Sequence, residues 1–509
     1  MTEQGHHILA LAIYFVAMLG IGWYAYRRTT NHSDYLLGGR ELRPTTAALS
    51  AGGASDMSGW LMMGLPGAIY VSGLVESWIA IGLLIGAYLN WRLVAPRLRA
   101  ATEVAGDALT IPSFLERRLR DRTHLIRVVS GLVILVFFTL YISSGMVAGG
   151  VFVENSFGGE YLTGMLLVAG VTLVYTMFGG FLGASLTDVV QGLMMMAALL
   201  LVPVMAVWQL GGPGEAISAV RELDPDHLSM LAGTALTGGG LTAIVSALAW
   251  GLGYFGQPHV IVRFMAMRDA GGAKAARRIG ITWMGLSLLG AVAGGLVGVA
   301  YIARTGTTLN DPEAVMLVMS QLLLHPLVGG FVLAAVVAAV MSTVSSQLIV
   351  CSSALVEDLY RIGRRTPPSQ RTLVLLGRAC VLVVAVIAVL LALTPGGTIL
   401  SLVAFAWVGF GASFGPAILL SLFWRRLTAA GTLAGMTVGA VTVFGWKALD
   451  TGLYELLPAF VAHLVVAVVV SLLWPKPDPE IDREFTASVA LAEGRAVDDD
   501  PDPVSASAA

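Results

Sequence analysis

The sequence has 509 residues, of which 56% are hydrophobic and only 12% charged, and its mean hydropathy is +0.80. This composition is too apolar and too poor in charge for a soluble domain, so it indicates a polytopic membrane protein. The formal net charge of -2 gives no indication of a nucleic-acid partner, and the sequence shows no sign of an obligatory protein partner.

Windows of about 20 apolar residues predict about thirteen helices that span the lipid bilayer. We number them spans one to thirteen in chain order. Their predicted bounds are Ile8–Tyr26, Thr45–Tyr70, Val75–Trp91, Val128–Val151, Tyr161–Phe178, Leu186–Leu210, Leu241–Val262, Ile279–Tyr301, Leu327–Val356, Thr372–Leu393, Ile399–Trp424, Ala429–Ala448 and Leu457–Trp474.

The basic residues predict which side of the membrane each connection faces, because Lys and Arg accumulate on the cytoplasmic side. Of the 30 basic residues, 27 fall in alternate connections or in the tail, including the group from Arg263 to Arg278 after span seven. The exceptions are Arg221, Arg304 and Lys447. We therefore expect the amino terminus outside the cell and the carboxyl terminus in the cytoplasm.

Span two places an acid, Asp56, in the middle of an apolar segment. A carboxylate at the centre of a membrane helix costs roughly 2.5–3.5 kcal/mol, so Asp56 should face a wet cavity or a cation. Gly52, Gly53 and Gly59 weaken the helix around it. An unwound turn at this point would expose carbonyl oxygens that can coordinate an ion.

Span seven is interrupted in the same way, by three glycines between Gly251 and Gly256 and by Pro258, which lacks a backbone donor. Two interrupted helices in corresponding positions indicate the binding site of an inverted-repeat transporter. Repeats of five helices would place span two and span seven in opposite directions, as inverted topology requires. The predicted domains are residues 1–44, an extra helix and the first cytoplasmic loop; 45–210, repeat one; 211–424, an external loop and repeat two; 425–474, the last two helices; and 475–509, a disordered acidic cytoplasmic tail.

Span nine carries four hydroxyl side chains within five positions. Ser342, Ser345 and Ser346 share one helix face, and Thr343 lies at its edge. Neutral hydroxyls together with carbonyls are suitable ligands for Na⁺. The alternative is that these hydroxyls bond the carbonyl one turn back or pack a small-residue interface, and the spacing alone favours that alternative.

Four aromatic residues of the spans, Trp60, Tyr141, Trp250 and Tyr254, could form a wall around a small zwitterion. Each of them taken singly is more simply explained by packing or by anchoring at the membrane interface. Asp188 lies near the start of span six, where an acid could either complement the helix dipole or lie on an ion path.

One catalytic pattern occurs, at Gly411-Ala412-Ser413-Phe414-Gly415, which matches a nucleophile elbow. That motif needs a strand-to-helix turn, whereas this copy lies within an apolar span. A membrane-embedded enzyme with Ser413 as nucleophile is therefore a weak alternative, and we expect no enzyme activity. A transport-derived sensor is disfavoured because the tail has no recognisable output domain.

Three stretches resemble the sodium:solute symporter family, and within it the bacterial proline branch. They are Asp56–Trp60, Trp250–His259 and Ala338–Thr343. The similarity also covers Leu37–Arg40 and Cys351–Ala354 and extends over nearly the whole chain apart from the tail. The resemblance implies an all-α polytopic membrane protein, with thirteen transmembrane helices and a LeuT-type five-plus-five inverted-repeat core.

The resemblance also implies roles for individual residues. Asp56 would be essential for sodium coupling. A sodium site would combine three backbone carbonyls with two hydroxyls, from Ala54, Met57, Ala339, Ser342 and Thr343. The substrate pocket would be lined by Ser58, Trp60, Tyr141, Trp250, Tyr254 and Pro258. A possible second sodium site, known from other branches, would include Asp188, Ser345 and Ser346.

The activity implied by the resemblance is secondary active symport of Na⁺ and L-proline by alternating access, in the inner membrane of a bacterium and without an organic cofactor. Sodium symport of another small organic solute, such as pantothenate, a sugar or another amino acid, is the close alternative. A proton could also replace sodium, since Asp56 could titrate.

Overall fold

We analysed a computed structural model of the chain, which describes residues 2–28, 32–231, 238–362, 368–394 and 396–495. Within these ranges the regular elements are helices, and the only strand-like pairing is a bridge between Leu42 and Met267. The helices of the first half are α1 Glu3–Arg28, α2 His32–Leu37, α3 Pro44–Leu49, α4 Leu65–Ser72, α5 Ser77–Leu89, α6 Ala95–Val104, α7 Ile111–Leu119, α8 Leu125–Phe157 and α9 Tyr161–Gln209.

The second half of the chain is built in the same way, from long apolar helices joined by short amphipathic ones. It contains α10 Pro213–Leu223, α11 Gly238–Ala249, α12 Pro258–Met265, α13 Ala273–Thr305, α14 Val315–Leu323, α15 Pro326–Ser353, α16 Gln370–Ala392, α17 Ile399–Phe423, α18 Ala429–Ala448, α19 Leu456–Leu473 and α20 Pro479–Ala492.

Ten helices in the described ranges are long and apolar enough to cross a membrane. Two of these segments, Trp60–Val104 and Tyr161–Gln209, have 45 and 49 residues, whereas one crossing takes about 20. The second is interrupted at Gly180, whose φ of 57° and ψ of -157° are not helical and suit a residue without a Cβ. The count of thirteen spans stays a prediction.

Span two is broken as its glycines predict. The helix α3 continues into a wide π-helical turn, Ser50–Ala54, in which Gly53 has a φ of -116° and a ψ of -109°. A second wide turn, Trp60–Gly64, leads into α4. We call Ser50–Gly59 the span-two break.

Span seven is broken by a different local device. After α11 the chain forms a tight 3₁₀ segment, Trp250–Gly256, and Gln257 is extended with a φ of -78° and a ψ of 105°. Pro258 then occupies the first turn of α12, where its missing N–H costs no hydrogen bond. We call Trp250–Gln257 the span-seven break.

The two breaks are held against different neighbours. The span-two break packs on α9, α12, α13 and α15, and the span-seven break packs on α5 and α17. The helix α5 can pack closely on the span-seven break because glycines let the two backbones touch. A Cβ added to Gly86 would lie 2.1 Å from the Gly251 carbonyl oxygen. The helix α15 runs through the centre of the protein, since 83% of the residues in its most apolar stretch are buried. The breaks therefore lie inside the helical bundle.

The prediction of a disordered tail is wrong for residues 479–492, which form α20. The Asp478 side chain accepts a hydrogen bond from the Glu480 amide, and Pro479 occupies the first turn, so the helix start is capped. Acidic composition alone suggested disorder, whereas Ala, Leu and Glu also favour helix. Residues 496–509 lie outside the described ranges.

The helix α20 is docked on the connections of spans three and eleven. The Phe485 ring, only 7% exposed, lies between the guanidinium groups of Arg118 and Arg425, each 5.2 Å from its centroid. Arg120 pairs with Glu484 at 2.9 Å and also with Glu480. Because the acidic partners are partly exposed, the buried ring should contribute most of the docking free energy.

The docking of α20 can be tested with Phe485→Ala. We expect roughly tenfold faster amide exchange in residues 480–492, because a buried ring and two cation–π contacts are lost. The matched control is Glu480→Gln. Loss of its exposed ion pair should change the docking free energy of α20 by less than about 0.5 kcal/mol. Equal exchange in the two variants would contradict a docking role for the ring.

Candidate functional site

A cluster of four oxygens joins the span-two break to α15. The Ser342 hydroxyl donates to the Ala54 carbonyl at 2.6 Å and to the Ala339 carbonyl at 3.0 Å. The Thr343 hydroxyl lies 3.3 Å from the same two carbonyls. Gly53, whose dihedral angles are not helical, comes directly before Ala54. The Ala54 carbonyl is therefore free to accept a hydrogen bond from another helix.

The structure brings together four of the five residues that the family resemblance implied for a sodium site. Met57, the fifth, is fully buried three positions beyond Ala54, and its amide donates to the Gly53 carbonyl at 3.1 Å. Within the described residues, no hydrogen bond connects Met57 to the other four.

Asp56 belongs to the span-two break and is fully buried. The Tyr254 hydroxyl donates to its Oδ2 atom, and His259 Nε2 lies 3.7 Å from its Oδ1 atom. The Trp60 indole N–H donates to the Asp56 carbonyl at 3.1 Å. One acid of span two is thus bonded by its side chain to span seven and by its main chain to its own segment.

The predicted aromatic residues meet around this acid, together with two residues that the sequence did not single out. The Trp60 and Trp250 rings lie 6.5 Å apart. Trp250 stacks on Tyr454 at 5.5 Å, and Tyr254 meets Trp407 edge-on at 5.1 Å. Trp407 belongs to α17 and Tyr454 precedes α19. No spacing rule connects either of them to span seven, so the sequence held no signal for them.

Side chains from neighbouring helices satisfy the carbonyls that the span-seven break leaves open. Trp407 Nε1 donates to the Trp250 carbonyl at 2.9 Å, and Asn90 Nδ2 donates to the Tyr254 carbonyl at 3.0 Å. Gln257 Nε2 in turn donates to the Trp407 carbonyl at 3.1 Å. These bonds fix a non-helical segment inside the bundle, where unpaired main-chain groups would be costly.

Several buried polar atoms around the acid have no hydrogen-bond partner within the described ranges. They are Asp56 Oδ1, Ser58 Oγ, Tyr141 Oη, Gln257 Oε1 and both ring nitrogens of His259. The Tyr141 ring lies 6.1 Å from the His259 ring. Buried polar atoms usually find partners, so this group indicates a place for a small polar ligand.

The remaining predicted pocket residue, Pro258, is buried at the start of α12. Its position explains how the helix restarts after the break.

A cavity of about 460 Å³ lies beside the aromatic group and is lined by Trp250, Tyr454, Glu76, Lys447 and Glu455 among others. Trp250 and Tyr454 thus line this cavity as well as belonging to the aromatic group around Asp56.

The residues suggested for a second sodium site lie close to an arginine. Asp188 Oδ2 is 3.1 Å from Arg263 Nη2, which also donates to Ser346 Oγ at 2.6 Å. The Ser345 hydroxyl donates instead to the Ser342 carbonyl at 2.9 Å. Arg263, assigned from the sequence to a cytoplasmic connection, is 1% exposed and belongs to α12. That assignment is wrong because the run of basic residues continues into the helix.

Ser413 lies within the continuous helix α17, not at a strand-to-helix turn. It is fully buried, and its hydroxyl has no hydrogen-bond partner among the residues that the structure describes. The geometry that a nucleophile elbow requires is therefore absent at this position.

Comparison with known proteins identifies the family. A sequence profile of the sodium:solute symporter family matches residues 35–439. The chain is 51% identical to the osmoregulated proline transporter OpuE of Bacillus subtilis, over 94% of this chain and 97% of that one. It is 53% identical to the high-affinity proline transporter PutP of the same organism, over 92% and 98%. The chain belongs to the sodium:solute symporter family. A sodium/proline symporter of Staphylococcus aureus is 48% identical over 94% of each chain.

Solved structures confirm the fold of this symporter-family chain. It superimposes on a Na⁺-coupled sialic acid symporter in a substrate-bound outward-open state with a TM-score of 0.78 at 18% identity, covering 92% of this chain and 99% of that one. The closed nucleobase-cation-symport-1 transporter Mhp1 gives a TM-score of 0.55 at 15% identity, over 90% and 99%. The protein is therefore an all-helical, multi-pass membrane protein with a LeuT-type fold.

The bond between the two breaks can be tested with Tyr254→Phe. This change leaves the buried Asp56 carboxylate without its hydroxyl donor, so we expect a loss of about 1.5–3 kcal/mol in stability. The matched control is Tyr454→Phe, which removes a hydroxyl bonded to the neutral Ala404 carbonyl and should cost about 0.5–1.5 kcal/mol. Thermal melting of the purified proteins measures both. A control that melts below Tyr254→Phe would refute this ranking.

Proposed function

We propose that this protein takes up L-proline together with Na⁺ by alternating access. The single observation that carries the proposal is the four-oxygen cluster of Ala54, Ala339, Ser342 and Thr343, which lies beside a buried acid and an aromatic group at two broken helices. The names of relatives about half identical to this chain support proline as the substrate and sodium as the coupled ion.

The sodium ion would bind to the carbonyls of Ala54, Met57 and Ala339 and to the hydroxyls of Ser342 and Thr343. Both hydroxyls now donate to carbonyls of this set. A cation needs oxygen lone pairs, so on binding the two O–H groups would turn outward and the carbonyls would face the ion. Five neutral oxygens can replace the water around Na⁺ without burying a permanent charge.

The substrate would occupy the space between the breaks, lined by Ser58, Trp60, Tyr141, Trp250, Tyr254 and Pro258. The indole and phenol rings provide apolar faces for a pyrrolidine ring. The unpaired atoms Ser58 Oγ and Tyr141 Oη could bond the charged groups of a zwitterion.

Asp56 would couple the two sites. It lies two residues after Ala54, so sodium binding acts on the same turn that carries its carboxylate. On the other side it holds Tyr254, which belongs to the substrate space. Ordering of this turn by one ligand lowers the cost of binding the other, so sodium and proline should raise each other's affinity by the same factor.

We also propose an orientation, in a bacterial inner membrane, with the amino terminus outside and the carboxyl terminus in the cytoplasm. The distribution of basic residues supports it. The helix α20 supports it as well, because it packs on Arg118, Arg120 and Arg425 and so lies on the same side as two arginine-rich connections. The two five-helix repeats of residues 45–210 and 211–424 are part of the same proposal.

Uptake into proteoliposomes tests the proposal. We expect labelled L-proline to accumulate when a sodium gradient points inward and only to equilibrate when sodium is equal on both sides. Unlabelled proline should compete, whereas pantothenate and glucose should not. A rate that ignores the sodium gradient would refute symport, and uptake driven by external acid without sodium would indicate proton coupling.

The sodium site can be tested with Ser342→Ala. Loss of one oxygen ligand should raise the sodium concentration for half-maximal uptake about tenfold or more. The control is Ser353→Ala, in the same helix, whose hydroxyl bonds the Val350 carbonyl at 2.8 Å and should leave the sodium dependence unchanged. An unchanged sodium dependence in a folded Ser342→Ala protein would exclude this ligand.

A further inference from the structure

A second candidate cation site lies one helical turn away from the proposed sodium site, and the Arg263 side chain fills it. Arg263 is 1% exposed and lies at a junction of four segments. Its Nη2 atom is 3.1 Å from Asp188 Oδ2 and 2.6 Å from Ser346 Oγ. Its Nε atom donates to Ser50 Oγ at 2.7 Å. The guanidinium therefore contacts α9, α15 and the span-two break from its own helix, α12.

The other contacts of the guanidinium complete its hydrogen bonding. Nη1 donates to the His259 carbonyl, and the Phe181 ring lies 5.4 Å from the central carbon. Ser50 Oγ in turn donates to Asp188 Oδ2 at 2.5 Å. Every nitrogen of this buried cation has an acceptor, and its charge is matched by one carboxylate. The second carboxylate oxygen, Asp188 Oδ1, has no hydrogen-bond partner among the residues that the structure describes.

The oxygens around Arg263 are also those that a sodium ion would use. The family resemblance implied a possible second sodium site at Asp188, Ser345 and Ser346. In the structure Asp188 and Ser346 both bond the guanidinium, and Ser345 bonds a carbonyl of its own helix. One positive charge already neutralises Asp188 there.

We propose that Arg263 is a tethered cation that occupies the place in which a second sodium ion would otherwise bind. The inference rests on the proposed function, because it concerns the ion sites of that sodium coupling. A guanidinium and a sodium ion carry the same charge, but the guanidinium cannot leave with the substrate. Arg263 thus stabilises the broken helix without leaving the protein, at the point where a second ion would bind and be released.

The contacts of Arg263 also bear on the transport cycle. They join Ser50 and Asp188, in the predicted repeat one, to Arg263 and Ser346, in the predicted repeat two. Relative motion of the repeats must stretch or break these bonds. Removal of the side chain would leave a carboxylate, two hydroxyls and the His259 carbonyl around a gap, an oxygen set that suits Na⁺.

Binding of ²²Na⁺ to the purified full-length protein at saturating proline tests the inference. We expect one ion per wild-type molecule and two per Arg263→Ala molecule, because the freed Asp188 site can then bind sodium. The sodium dependence of uptake should change from hyperbolic to sigmoidal, with a Hill coefficient rising from about 1 toward about 2. The double variant Asp188→Asn/Arg263→Ala should return to one ion. A matched control is Arg378→Ala, an arginine bonded to the Met177 carbonyl, which should keep one.

Two ions in the wild-type protein, or one ion in a folded Arg263→Ala protein, would overturn the inference and leave sodium-coupled uptake intact. No bound sodium and no sodium-driven uptake in the wild type would instead contradict the proposed function.

Two further variants keep the inference testable where Arg263→Ala does not fold. Arg263→Lys keeps the tethered charge and should bind one ion, so two ions would count against the proposal. Asp188→Asn alone leaves the arginine buried without its partner, and it should melt below the double variant Asp188→Asn/Arg263→Gln. Equal or reversed melting would show that the pair is not coupled and would refute the tethered cation.

Discussion

The bond between the Ser342 hydroxyl and the Ala54 carbonyl is the contact on which the arrangement of the site depends. It connects α15, the most buried of the ten candidate membrane-spanning helices in the described ranges, to a main-chain carbonyl that would be bonded within its own helix if span two were unbroken. That atom is free because Gly53 leaves the helical region of the backbone map. The break at Gly53 and the two hydroxyls therefore act together, since one frees the carbonyl and the others bond to it.

The same short turn contributes to both of the proposed sites, the one for sodium and the one for substrate. Ala54 faces α15, while Asp56 holds Tyr254 of span seven. The acid also lies 3.7 Å from the ring of His259, whose carbonyl accepts a bond from Arg263. The oxygen cluster, the aromatic group and the buried arginine are therefore connected through one non-helical segment. In the proposed mechanism, coupling between ion and substrate would need no long path, since each ligand would order the same few residues.

Sequence reasoning succeeded where the signal was local and failed where it was not. The glycines of span two and Pro258 of span seven predicted the breaks, and the i, i+3, i+4 spacing predicted the hydroxyl face of α15. Trp407 and Tyr454 were missed because only the folded chain brings them to Trp250. Arg263 was misassigned because a charge count cannot distinguish a loop arginine from one paired with an acid 75 residues away. The tail helix was missed because composition outweighed its capping residues.

The proposed sodium site and the site filled by the Arg263 guanidinium differ in the kind of oxygen ligand they offer. We relate that difference to the role proposed for each site. An ion that is carried across has to leave, so its ligands should be neutral carbonyls and hydroxyls, which bind a cation without holding it by a full opposite charge. The Asp188 carboxylate would hold a cation much more firmly at low dielectric. Pairing it with Arg263 neutralises the acid with a charge that stays in the protein. In this proposal the carboxylate is paired with a charge that stays in the protein, and the neutral oxygens bind the ion that has to be released.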